Sequence, residues 1–135
     1  MTNYVLDTNI ISQALHSRTT SAFIRLQQVM IPENVGIGCP VVWYEVRRGL
    51  LAKDVKAKMS YFEAMFATFV WQDYTPADWS LAATLWTERR SQGIPISDAD
   101  LLIGVFARSR NVTLVTDNEK DFVGLGVSID NWIEK

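Results

Sequence analysis

Tyr4-Val5-Leu6-Asp7-Thr8-Asn9-Ile10-Ile11-Ser12 opens the chain with a short apolar run that stops on an acid. The run Tyr4–Leu6 reads as a buried strand, Asp7-Thr8-Asn9 as a polar turn, and Ile10–Leu15 as a short helix. Outward from this segment the same alternation repeats. Helical periodicity or helix-start chemistry marks Ser21–Met30, Pro40 to about Leu51, Asp54 to about Phe69, Thr75 to about Gln92, and Ser97 to near Asn111. Within the third of these, Asp54 and Lys58 are spaced as a favourable i,i+4 pair. Further strand candidates are Val35–Cys39 (weakened by Gly36 and Gly38), Val70–Tyr74, Val112–Thr116 and Val127–Ile129. Strands alternating with helices predict an α/β fold: a three-layer α/β/α sandwich around a mostly parallel sheet of four to five strands.

Composition sets the outer limits. With 135 residues, 48% hydrophobic and 21% charged, the chain predicts one domain over 1–135 that folds without disulfides or a structural metal. Thirteen basic residues against 15 acidic ones give a net charge of −2, which excludes a strongly basic nucleic-acid binder. Cys39 is the single cysteine, which excludes a disulfide framework and a Cys-rich zinc site. His16 is the single histidine and reads as a surface or cleft-rim residue. No apolar run is long enough to span a membrane, and Met1 onward lacks the pattern of a leader peptide. A soluble, cytoplasmic protein is expected.

In a parallel sheet the functional crevice lies beyond the carboxyl ends of the strands. Asp7 follows the first strand and Asp117 the fourth; Glu45 lies about one turn into the helix after the second; Asp100 lies in the first turn of the helix leading to the fourth. Taken singly, each has an ordinary structural role as turn, cap or solvated side chain. Taken together, they conflict: two like charges 4 Å apart repel by about 4 kcal/mol at an effective dielectric of 20. A hard divalent cation such as Mg²⁺ or Mn²⁺ would relieve that repulsion with oxygen ligands alone.

The order of these segments resembles the PIN-domain family and, within it, the VapC-type ribonuclease toxins of bacterial toxin–antitoxin pairs. The resemblance rests on Tyr4–Ser12, on Glu45 within Trp43–Gly49, on Ile94-Pro95-Ile96 leading into Asp100–Gly104, on Leu114–Asn118 followed by Asp121-Phe122, and on Ile129-Asp130-Asn131-Trp132. It implies that Asp7, Glu45 and Asp100 bind Mg²⁺ (Mn²⁺ substituting) and that Asp117 is the fourth, more variable acid. Thr8, Asn9, Ser12 and Thr116 would hydrogen-bond these carboxylates; Asp98 would be accessory; Asp121 would order the site. The activity implied is metal-dependent endoribonuclease cleavage by an activated water, with Asp117 or Asp98 as candidate base and tRNA as the leading substrate.

Arg47, Arg48, Lys53, Arg89 and Arg90 are candidate RNA contacts, within basic clusters that also include Lys56, Lys58, Arg108 and Arg110. The five tryptophans suit core packing first and a partner interface second. The resemblance further implies a homodimer and a cognate VapB-type antitoxin that blocks the site and supplies the operator-DNA contact. The competing class is a catalytically inactive PIN-like module that binds RNA or protein. A receiver-type phosphoryl-transfer domain is disfavoured, because Asp7 stands without an acidic neighbour and Thr116-Asp117-Asn118 offers no lysine.

Overall fold

The computed structural model describes residues 2–133. The strands are β1 (Asn3–Leu6), β2 (Val35–Gly38), β3 (Val70–Trp71), β4 (Thr113–Val115) and β5 (Ser128–Asp130). The helices are α1 (Thr8–His16), α2 (Ser21–Val29), α3 (Pro40–Lys53), α4 (Lys56–Ala67), α5 (Pro76–Ser91) and α6 (Asp98–Ser109), with a 3₁₀ turn over Glu119–Phe122. All five strands are parallel, in the order β3-β2-β1-β4-β5. Neighbouring residues Val5 and Leu6 of β1, and Leu114 and Val115 of β4, are all buried. Successive strand residues point to opposite faces, so both faces of the sheet centre are covered.

Local chemistry sets most boundaries. Thr75 and Asp78 form a reciprocal capping box at the start of α5, Thr20 caps α2, and Pro40 begins α3. Left-handed Gly93 follows the end of α5. One boundary differs from expectation. Asp54 takes a left-handed conformation (φ 52°) that ends α3, and α4 starts only at Lys56. The chain turns there, so Asp54 and Lys58 share no helix. The two strand glycines also find their reason: a Cβ on Gly36 would lie 2.4 Å from the Phe69 ring, and one on Gly38 would lie 3.1 Å from the Phe66 ring. The aromatic residues of α4 and its C-terminal turn lie against β2 itself.

Two tertiary ties use residues that looked merely helical. Arg110 pairs with buried Asp78 at 3.1 Å, while also bonding Gln72 Oε1 and the carbonyls of Asp73 and Phe106. Arg108 donates to the Leu125 carbonyl at 3.0 Å. Tryptophan packing departs from the core expectation. Trp132 is buried, but Trp71, Trp79 and Trp86 are 48%, 52% and 41% exposed. Trp71 sits on the two-residue edge strand, and Trp79 and Trp86 lie on a helix whose buried stripe is Asp78, Ala82, Leu85 and Arg89.

Candidate active site

The strand order reverses direction at β1: β2 pairs on one side of it and β4 on the other. A crevice at that switch point lies beyond the strands' carboxyl ends. There the starts of α1 and α6, the inner side of α3 and the loop after β4 border a cleft of about 790 Å³ lined by Asp7, Glu45, Asp100 and Asp117.

Asp7 is the deepest of the four, at 3% exposure. It takes the N–H of Thr8 on Oδ1 at 2.7 Å, capping α1, and the Thr116 hydroxyl on Oδ2 at 2.7 Å. Asn9 Nδ2 reaches Oδ2 at 3.5 Å. Burial, above all, pushes the Asp7 carboxyl up to about 6; the Thr116 and Thr8 bonds oppose this, and the charges of Asp100 and Glu45 add to it. Glu45 accepts the Thr8 hydroxyl on Oε1 at 2.8 Å and meets Arg48 at 3.6 Å on Oε2. Burial also raises Asp100, with the Ser97 hydroxyl opposing and the charges of Asp121 and Glu45 contributing. Ser97 accepts the Asp100 N–H at 3.2 Å to start α6. Asp117 donates its N–H to Asn9 Oδ1 at 3.3 Å, and its Oδ1 accepts from Asn131 at 3.2 Å.

This donor set fits a hard divalent cation. All the candidate donor groups are carboxylate oxygens, and the most buried is pushed toward protonation by burial first and then by neighbours of its own sign. Among the described residues, no three acidic, histidine or cysteine side chains close around one point tightly enough to enclose an ion by themselves.

A family model for the PIN domain matches residues 4–126. The chain belongs to the PIN-domain family. Ribonuclease VapC2 of Rickettsia felis is 28% identical to it over 131 residues, spanning 96% of this chain and 97% of the relative. The solved VapBC2 complex of Rickettsia felis, bound to a promoter DNA fragment, superposes with a TM-score of 0.83 at 27% identity, covering 96% of this chain and 98% of that one. VapBC-1 of nontypeable Haemophilus influenzae gives 0.81 at 23% identity over 96% and 98%, a likeness of fold.

Within this PIN domain, Thr8, Asn9 and Thr116 each hydrogen-bond one or two of the acids. Ser12 lines the cleft but, among the described residues, bonds none of the acids. Asp98 is exposed and stands outside the cleft lining, whereas Asp121 acts on Asp100 through its charge. The basic candidates divide. Lys53 lines the cleft, joined by Lys58. Arg47 is held by Glu63 at 3.2 Å and lies over Trp43, while Arg48 lies over Tyr44 beside Glu45. Arg90 lies over Trp86 on α5, away from the cleft lining. Arg89 is a correction: at 9% exposure it turns inward and donates to the Asp121 carbonyl, bracing the 3₁₀ turn beside Asp100 rather than awaiting a phosphate. His16 lines the cleft where it meets a second, more apolar hollow between α1, α2 and α4. Asn131, which the sequence reading does not single out, bonds one of the cleft acids, Asp117. Its signal was its place directly after β5, the same strand-end rule that finds Asp7 and Asp117.

Proposed function

We propose that this PIN domain is the toxin of a toxin–antitoxin pair, a Mg²⁺-dependent endoribonuclease. One observation carries the reading: buried Asp7 shares a cleft at the sheet's switch point with Glu45, Asp100 and Asp117, and Glu45 and Asp100 bias its charge. Asp7, Glu45 and Asp100 would hold Mg²⁺, or Mn²⁺ in its place, with Asp117 completing the set. When bound, the ion supplies an activated water and neutralises charge on the leaving oxygen, yielding 5′-phosphate and 3′-hydroxyl ends. The protein does the rest. Thr116 and Thr8 fix the Asp7 carboxylate, and the Thr8 hydroxyl fixes Glu45, so the ligands are oriented in advance. Lys53 and Lys58 offset the acids on the same cleft, where a phosphate backbone must enter.

The substrate in this reading is RNA, with tRNA foremost. The partner is a VapB-type antitoxin that blocks the cleft and carries the pair to operator DNA. Support comes from the 28% identity to a ribonuclease named VapC2 and from the structural match to a VapBC complex on promoter DNA. The toxin works in the cytoplasm, where RNA and antitoxin are made, and as a homodimer. The exposed Trp71, Trp79 and Trp86 offer apolar surface for association.

Total cellular RNA incubated with the purified chain tests this, with cut sites mapped by 5′-end sequencing. The native chain should cut in Mg²⁺ and stop in EDTA, and Asp7→Asn should lose about 100-fold or more. Cutting that ignores both metal and the substitution would contradict the mechanism. Silence from both proteins would favour an inactive binding module.

A further inference from the structure

The turn after β5 does more than close the sheet. The Asn131 side-chain amide donates to Asp117 Oδ1 at 3.2 Å and to Glu119 Oε2 at 3.1 Å. Asn131 is itself locked in place. Its N–H donates to Asp130 Oδ1 at 2.8 Å, and its Oδ1 accepts the Ile133 N–H at 2.9 Å. The other oxygen of Asp130 accepts Trp132 Nε1 at 3.1 Å, and buried Trp132 meets the Tyr4 ring edge-on at 5.6 Å. The Asp130 carbonyl takes the Thr116 N–H at 2.9 Å, which ties the turn to the strand end carrying Asp117. Asn9 grips the Asp117 backbone from the other side.

An amide that donates to two carboxylates at once holds together groups that would otherwise repel. It also uses one named oxygen of Asp117, a residue that lines the cleft, while among the described residues no hydrogen bond takes the other. We propose that Asn131 is a positioning residue: its amide fixes the rotation of the Asp117 carboxylate, so that the remaining oxygen meets a divalent ion. This rests on the reading of the four acids as a divalent-ion site. The anchors of the turn, Trp132 on Tyr4 and Asp130 on Thr116, make the orientation a property of the folded chain rather than of the ligand.

Calorimetric titration of Mn²⁺ tests the proposal, with thermal unfolding of each metal-free protein alongside. The proteins are native, Asp7→Asn, Asn131→Ala, Asp117→Asn, and the double variant Asn131→Ala/Asp117→Asn. Expected results are binding by native, loss in Asp7→Asn, and about 10-fold weaker binding in Asn131→Ala with its midpoint near native. The double variant should bind no more weakly than Asp117→Asn, since Asn131 acts only through that carboxylate. Native-like affinity in Asn131→Ala overturns the proposal, as do losses that multiply in the double variant. Equal titrations of native and Asp7→Asn overturn the ion site, and the proposal with it. If Asn131→Ala does not fold, Asn131→Ser keeps a short acceptor for the Ile133 N–H, removes the amide, and should show the same weakening.

Discussion

A carboxylate where Asp7 stands works against folding by itself. Its folded pKa of about 6 lies above the ordinary 3.8, chiefly through burial. A raised acid favours the protonated fold, so this group costs nothing well below pH 4. Its cost grows from pH 4 to 6 and is complete above 6, at about 3 kcal/mol. In the absence of divalent ions, Asp7→Asn should therefore be more stable than native at pH 7. The gain should be about 1–2 kcal/mol, because the Thr116 hydroxyl loses its charged acceptor, and it should shrink toward pH 4. Urea denaturation across that range measures this; an Asn variant less stable at every pH would contradict it. Thr116→Val removes the hydroxyl that holds the Asp7 pKa down. Binding of Mn²⁺ must displace the Asp7 proton, so its apparent affinity should rise with pH up to about 6, and in Thr116→Val the break should move upward; an unmoved break would show that Asp7 does not set the pH dependence. At this scale the sequence reveals what strand ends announce, Asp7 and Asp117. It hides what needs tertiary approach: Arg89 turned inward, and Asn131 on Asp117.

Caps and turns were readable because their chemistry is local. Thr75-Pro76-Ala77-Asp78 and Ser97 mark their helices without help from the rest of the fold. The start of α4 was not, since apolar spacing runs on through Val55 and nothing in it signals that Asp54 turns left-handed. The glycines of β2 look like weak points in a strand and prove to be contact points. Gly36→Ala would drive a Cβ into the Phe69 ring, so about 1–3 kcal/mol of stability should be lost, read as a lowered thermal midpoint. An unchanged midpoint would mean that α4 and its C-terminal turn can lift from the sheet freely. Because α4 also carries Lys58 into the cleft, that contact links packing to the site.

The alternation of strand and helix predicts a parallel sheet, yet it leaves the strand order open. The order β3-β2-β1-β4-β5 makes function possible, because it sets the ends of β1 and β4 side by side. Acids from four separate segments, positions 7, 45, 100 and 117, then face one cleft. The placement of the tryptophans follows the same logic in reverse. Strand order and helix orientation decide which large apolar residues are covered, and composition alone does not. What the whole molecule builds is a cleft of four acids beyond the carboxyl ends of the sheet, an arrangement that a bound cation would relieve. Crystals of the native chain soaked in Mn²⁺, with data collected for anomalous scattering, test that most directly. The account predicts a strong peak among Asp7, Glu45 and Asp100, absent from Asp7→Asn crystals treated the same way. A cleft without a peak, or one unchanged by Asp7→Asn, would contradict it.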